Sequence, residues 1–134
     1  MKICRRETFN AAHRLYNPDF DEATNRRIYD KCSNPNYHGH NYVLEVWVDG
    51  QIDAETGYLI DLKTLSDIIH EEVLERFDHR NLNLDCPEFS NLIPTVENIA
   101  VVIWDLLKAR IDAKYGLEIR LWETDKNSVW YNGK

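Results

Sequence analysis

The stretch "HGHNYVLEVWVDG", His38 to Gly50, decides how the rest of the chain reads. In it Tyr42, Leu44, Val46 and Val48 fall on one side of an extended chain, while Val43, Glu45 and Trp47 fall on the other. That period of two predicts a β-strand with one apolar face, and Asp49-Gly50 supplies the turn that ends it. His38 and His40 continue the Tyr42 face, so both imidazoles point to one side, about 7 Å apart at the backbone. Taken alone, His-x-His fits a metal site or ordinary polar strand residues, and the spacing leaves both open.

Working outward, Lys2 to about His13 contains no Pro or Gly and is read as a first strand. After the turn-rich "DAETG", Asp61 is placed to cap a helix with the stripe Leu62, Leu65, Ile69 and Val73, ending near Phe77. Thr95 of "PTVEN" is placed to cap a second helix, with Glu97 near its positive end and Ile99, Val102, Ile103 and Leu106 as its stripe. "LEIRLWE" from Leu117 alternates again, and "SVWY" is a last short strand. The order strand, strand, helix, helix, strand, strand predicts an α+β domain: a four-stranded antiparallel sheet with two helices on one face. Such a sheet keeps two unpaired edges, so joining of sheets in an oligomer is expected.

The chain has 134 residues, 43% hydrophobic and 29% charged, the size and balance of one domain spanning 1–134. A net charge of -7 argues against a nucleic-acid partner, which needs many Lys and Arg against phosphates. The opening "MKICRRETFNAAH" lacks the apolar core of a signal peptide, and no run is apolar enough to span a bilayer. Cys4, Cys32 and Cys86 are odd in number and far apart, which fits a reducing compartment. A cytoplasmic protein without a membrane partner is expected.

The segments "FNAAHRL", "CSNPNYHGHNY", "FDHRNLN", "PTVEN" and "WETDKN" resemble, in order and spacing over nearly the whole chain, those of the 6-pyruvoyltetrahydropterin synthase and 6-carboxytetrahydropterin synthase family. The resemblance implies the tunnelling fold (T-fold), ββααββ, with sheets joined into an oligomeric barrel, a hexamer built as a dimer of trimers. It implies that His13, His38 and His40 hold a Zn2+ whose fourth position stays open, as in catalytic sites. It implies catalytic roles for Cys32, Asp78 and His79, a pterin anchor in Glu123, and pocket positions at Thr95 and Glu97.

Each residue also has a plainer reading. Cys32 has the alternative of a small buried hydrophobe, which its Pro- and Asn-rich surroundings disfavour, Asp78-His79 of a helix end, Glu123 of a solvated strand-end carboxylate, and Thr95 and Glu97 of helix-start residues. Arg14, Arg26, Arg27 and Lys31 either gather phosphates or line a solvated turn. His70 is read as surface, Cys4 and Cys86 as structural.

The family resemblance implies a lyase acting on 7,8-dihydroneopterin triphosphate, expelling triphosphate to give 6-pyruvoyltetrahydropterin. The alternative product is 6-carboxytetrahydropterin, on the queuosine route. The gap of five residues between Cys32 and His38 resembles the pyruvoyl enzymes. A non-catalytic pterin- or purine-binding module on the same fold is the rival of a different class. Two departures stand out: Tyr37 where the family often has Gly, and Val96 where animal enzymes have a polar residue.

Overall fold

The computed structural model describes residues 1–134. Strands β1 (Lys2–His13) and β2 (His38–Asp49) pair antiparallel along their whole length, from Lys2 opposite Asp49 to His13 opposite His38. β4 (Gly116–Trp122) pairs with the far side of β2, and β5 (Ser128–Tyr131) with β4. The four expected strands are therefore present in antiparallel order. A fifth corrects the expected count: β3 (Arg80–Asn81) adds to the free side of β1 in parallel, opposite Ala11 and Ala12. Two residues are too few to carry an alternation, so no sequence pattern marks it.

One face of the sheet is the core. Phe9, Tyr42, Leu44, Val46, Val48, Leu117, Ile119 and Leu121 lie on it, all buried, with Phe9 and Tyr42 stacked at 4.9 Å. Two helices cover that face. In α2 (Leu62–Ile69) Leu65, Ile68 and Ile69 are buried, but Leu62 of the expected stripe is 46% exposed. In α5 (Val96–Lys108) Ile99, Ala100, Ile103 and Leu107 are buried, with Val102 and Leu106 packed at the margin. Both expected caps form: Asp61 accepts from Lys63 N and Thr95 from Asn98 N.

The α2 rod continues through a π turn, His70–Leu74, into the short α3 (Glu75–Phe77). The buried positions Leu65, Ile69, Val73 and Phe77 recur every fourth residue. At 3.6 residues per turn such a stripe drifts by about 40° per step, and one wider turn takes up the drift. A short α4 (Leu82–Asp85) follows β3, and no helix is long and apolar enough to cross a membrane.

The polar segment between β1 and β2 holds a helix that the sequence reading leaves as turn, α1 (Glu22–Tyr29), followed by a 3₁₀ turn over Asp30–Ser33. It has no apolar stripe to announce it. Asp21 caps it by accepting from Thr24 N, and Asn25, only 1% exposed, ties it down. The Asn25 side chain bonds Asn17 N and O and the carbonyls of Phe20 and Asp21.

Tyr37, just before β2, sits at φ 66°, a left-handed conformation that bulky residues rarely adopt and glycine adopts freely. This is the physical reason that glycine suits the position. Because Ala and Gly both remove the tyrosine side chain, comparing them isolates the strain. Tyr37→Gly should be more stable than Tyr37→Ala by about 1 kcal/mol, reversing the usual order. Thermal denaturation of the two variants checks it, and an Ala variant as stable as the Gly variant removes the strain argument.

Candidate metal centre and active site

The β1–β2 register places His13 directly opposite His38 and Ala11 opposite His40, so three imidazoles meet where the sheet's core face ends. Their ring centroids lie 4.6, 5.1 and 5.0 Å apart in the three pairs. One ring nitrogen from each lies within 4.8 Å of the others. His13 is 1% exposed, and its Nδ1 is 2.8 Å from the carbonyl oxygen of Pro94. A carbonyl can only accept, so Nδ1 carries the proton and Nε2 keeps a free lone pair. Nε2 of His13 and Nε2 of His40 are buried without any hydrogen-bond partner.

Buried polar atoms left unpaired cost about 1–3 kcal/mol each, and two that converge beside the His38 ring ask for a ligand. A metal ion would answer. Burial lowers the His13 pKa to about 4 and also lowers that of His38, with His40 acting in the same direction. The neutral, ligating form of both is favoured. The Pro94 bond is the kind of outer partner that fixes a ligating imidazole in place. Three imidazoles with an open side suit zinc, so the residues present fit the group.

Glu123, one residue past β4, reaches over this cluster: its carboxylate oxygens are 3.9 Å from Nε2 of both His13 and His40. Both distances are too long for hydrogen bonds. Burial raises the Glu123 pKa, the His40 charge opposes the rise and Glu97 adds to it. Thr95 follows Pro94, so the start of α5 brings Thr95 and Glu97 to the site through the Pro94 carbonyl. The Thr95 oxygen accepts from Asn98 N, which leaves its hydroxyl proton free.

Cys32 lies in the 3₁₀ turn, with its carbonyl accepting from Leu15 N at 2.8 Å. Its thiol is half-buried, and burial, then Glu123 and Asp30, push its pKa up. The Glu123 charge therefore reaches the thiol.

Asp78 and His79 stand apart from this group. Asp78 accepts from Asn10 N at 2.8 Å, and its other oxygen is 3.0 Å from His79 Nδ1. The bond from Asn10 is the main cause that lowers the Asp78 pKa. His79 is held at φ 60° with its ring 82% exposed, at the sheet edge just before β3. No hydrogen bond or ion pair joins this dyad to Cys32 or to the three imidazoles of the same chain.

Of the other basic residues, half-buried Arg14 and exposed Arg26 line a common cavity beside Ser33, while Arg27 and Lys31, also exposed, do not line it. The Pro94 carbonyl was not legible as a site group, because a backbone acceptor leaves no trace in side-chain type. The Asn83 amide, which bonds both N and O of Arg14, was hidden for a different reason: it lies 69 residues away.

Residues 2–134 match the family model described as 6-pyruvoyl tetrahydropterin synthase. A 6-pyruvoyl tetrahydrobiopterin synthase of Poecilia reticulata is 43% identical over 132 residues, covering 98% of this chain and 90% of the relative. One from Pongo abelii is 41% identical over 133 residues, covering 99% and 92%. The solved structure of Caenorhabditis elegans 6-pyruvoyl tetrahydropterin synthase superposes with a TM-score of 0.94 at 34% identity, covering 100% of this chain and 96% of that one. The shared fold is the T-fold. On matches of this extent, the chain belongs to the 6-pyruvoyl tetrahydropterin synthase family and is an enzyme of that type.

Proposed function

We propose that this chain is a zinc-dependent carbon-oxygen lyase that converts 7,8-dihydroneopterin triphosphate to 6-pyruvoyltetrahydropterin with release of triphosphate. The observation that carries the reading is the pair of buried, unpartnered Nε2 atoms on His13 and His40, facing Glu123. His13, His38 and His40 would hold the zinc, which when bound would supply a Lewis acid for the substrate's side-chain oxygens and a positive charge to offset the upward push on the Cys32 thiol.

The remaining work falls to the chain. Glu123 anchors the pterin, because one carboxylate can accept a ring N-H and an amino N-H side by side. Thr95 and Glu97 border the same place and complete the polar wall. Cys32 takes a proton from a side-chain carbon, and the triphosphate leaves with the electron pair of its C-O bond. The hydrogens lost from the side chain return to the ring, so no external oxidant or reductant is needed.

Asp78 and His79 need a second chain to take part. They lie at the β1 edge of the sheet, His79 exposed and Asp78 half-buried, without a hydrogen bond or ion pair to Cys32 of their own chain. Edge-to-edge joining of three sheets, and stacking of two such rings into a hexamer, brings the dyad of one protomer toward the thiol of another. His79 then passes the proton, with Asp78 fixing its ring.

Three outcomes follow. The purified protein should carry about one zinc per chain, and His38→Ala and His40→Ala should lose it; elemental analysis that finds undiminished zinc in both rejects the metal site. Cys32→Ala should keep zinc and pterin affinity while turnover of 7,8-dihydroneopterin triphosphate falls by about 10²–10⁴-fold. Glu123→Ala should instead weaken pterin binding first. Equal turnover by Cys32→Ala and the parent makes the thiol structural and the mechanism wrong. Light scattering should find a hexamer at micromolar concentration, and a monomer that is fully active contradicts the shared site.

A further inference from the structure

A net charge of -7 repels a polyphosphate, so a chain that binds one must concentrate cations locally. A cavity of about 330 Å3 between α1 and the end of β1 does this: Arg14 and Arg26 both line it, with Tyr16, Ser33 and Glu22. Glu22 is the only carboxylate in the lining and pairs with neither arginine. Resting on the function proposed above, we infer that this cavity is the subsite for the substrate's triphosphate, with Arg14 and Arg26 as its anion-binding residues.

Arg14 is held as an anion-binding arginine needs to be. Its Nε donates to the Ser33 carbonyl at 2.7 Å, and its guanidinium lies 4.1 Å above the Tyr16 ring. Asn83 clamps the Arg14 backbone from both sides, accepting from N at 2.8 Å and donating to O at 2.9 Å. Both terminal nitrogens are left without a protein partner. A guanidinium fixed in orientation, with two free donors, matches the bidentate geometry of phosphate oxygens.

Arg26 is presented by α1, whose position the buried Asn25 side chain fixes through four bonds. One of its nitrogens donates to the Asn34 side chain at 2.6 Å, which leaves the others for a ligand. The Tyr16 hydroxyl also has no protein partner. Location completes the case: Arg14 directly follows His13, Ser33 directly follows Cys32, and Leu15 N is bonded to Cys32 O. The cavity is one residue along the chain from a metal ligand on one wall and from the thiol on the other. No carboxylate pairs with either arginine.

The test uses the zinc-loaded protein, with metal content measured again after each titration. Inorganic tripolyphosphate is titrated calorimetrically into the parent, Arg26→Ala, Arg14→Lys, and Arg27→Ala as a control on the exposed side of the same helix. Unphosphorylated 7,8-dihydroneopterin is titrated separately. Tripolyphosphate affinity should fall at least tenfold in Arg26→Ala, with a shallower salt dependence, and stay at the parent value in Arg27→Ala. Affinity for 7,8-dihydroneopterin should not change in Arg26→Ala, so the KM for the triphosphate ester rises. Should Arg14→Lys fail to fold, Arg26→Ala alone decides. A parent that binds no tripolyphosphate, or an Arg26→Ala variant that binds it as tightly as the parent, overturns the subsite. A parent that binds tripolyphosphate through Arg26 but neither binds 7,8-dihydroneopterin nor turns over its triphosphate overturns the proposed function and leaves the anion site standing.

Discussion

The β1–β2 register is the constraint on which the fold and the site both depend. Twelve consecutive residues of each strand are paired without a bulge, from Lys2 and Asp49 to His13 and His38. Tyr42, Leu44, Val46 and Val48 on β2 are fully buried, and each apolar side chain contributes about 1.5–3 kcal/mol. A slip by one residue would turn all of them to the opposite face. His38 and His40 belong to the same alternation, and His13 continues the line of Phe9 and Ala11. Packing at the apolar end therefore sets where three imidazoles meet at the polar end.

What could be read from the sequence follows from this. β2, β4, β5 and the buried side of α5 announce themselves by period, because each has one apolar face and one neighbour to bury it against. α1 does not, since Asn25 rather than an apolar stripe attaches it, and β3 is too short to have a pattern. Leu62 of the expected α2 stripe is exposed at the first position of the helix, directly after the Asp61 cap, while Leu65, Ile69 and Val73 are buried as the period predicts. At the site, residue types with distinctive chemistry were legible: three histidines, a thiol, Glu123. Their arrangement was not, because the Pro94 carbonyl joins α5 to His13 across 81 residues.

That single bond has consequences on two levels. It fixes the His13 tautomer, which is local chemistry, and it anchors the first turn of α5 at the end of β1, which is packing. Thr95 caps the helix there, so one structural device carries Thr95 and Glu97 to the imidazoles. The cap reading and the pocket reading of "PTVEN" are compatible for this reason: a cap needs the hydroxyl oxygen, and a ligand can use its proton.

The costs in this structure are concentrated at the same end. Tyr37 and His79 hold left-handed backbones, two imidazole nitrogens are buried unpaired, and Glu123 is kept in a site that disfavours its charge. Buried polar side-chain atoms other than these two nitrogens are all paired. Asp53 accepts from Glu55 and Thr56, Trp104 donates to the Leu117 carbonyl, and Arg110 bridges Glu71 and Glu72. A chain selected only for stability would not leave one end strained and unpaired while completing the rest. The apolar sheet supplies the free energy that holds these groups in place. The two unpaired nitrogens and the Glu123 carboxylate are complementary to one another: a cation bound among the imidazoles would lower the cost of the buried nitrogens and of the carboxylate together.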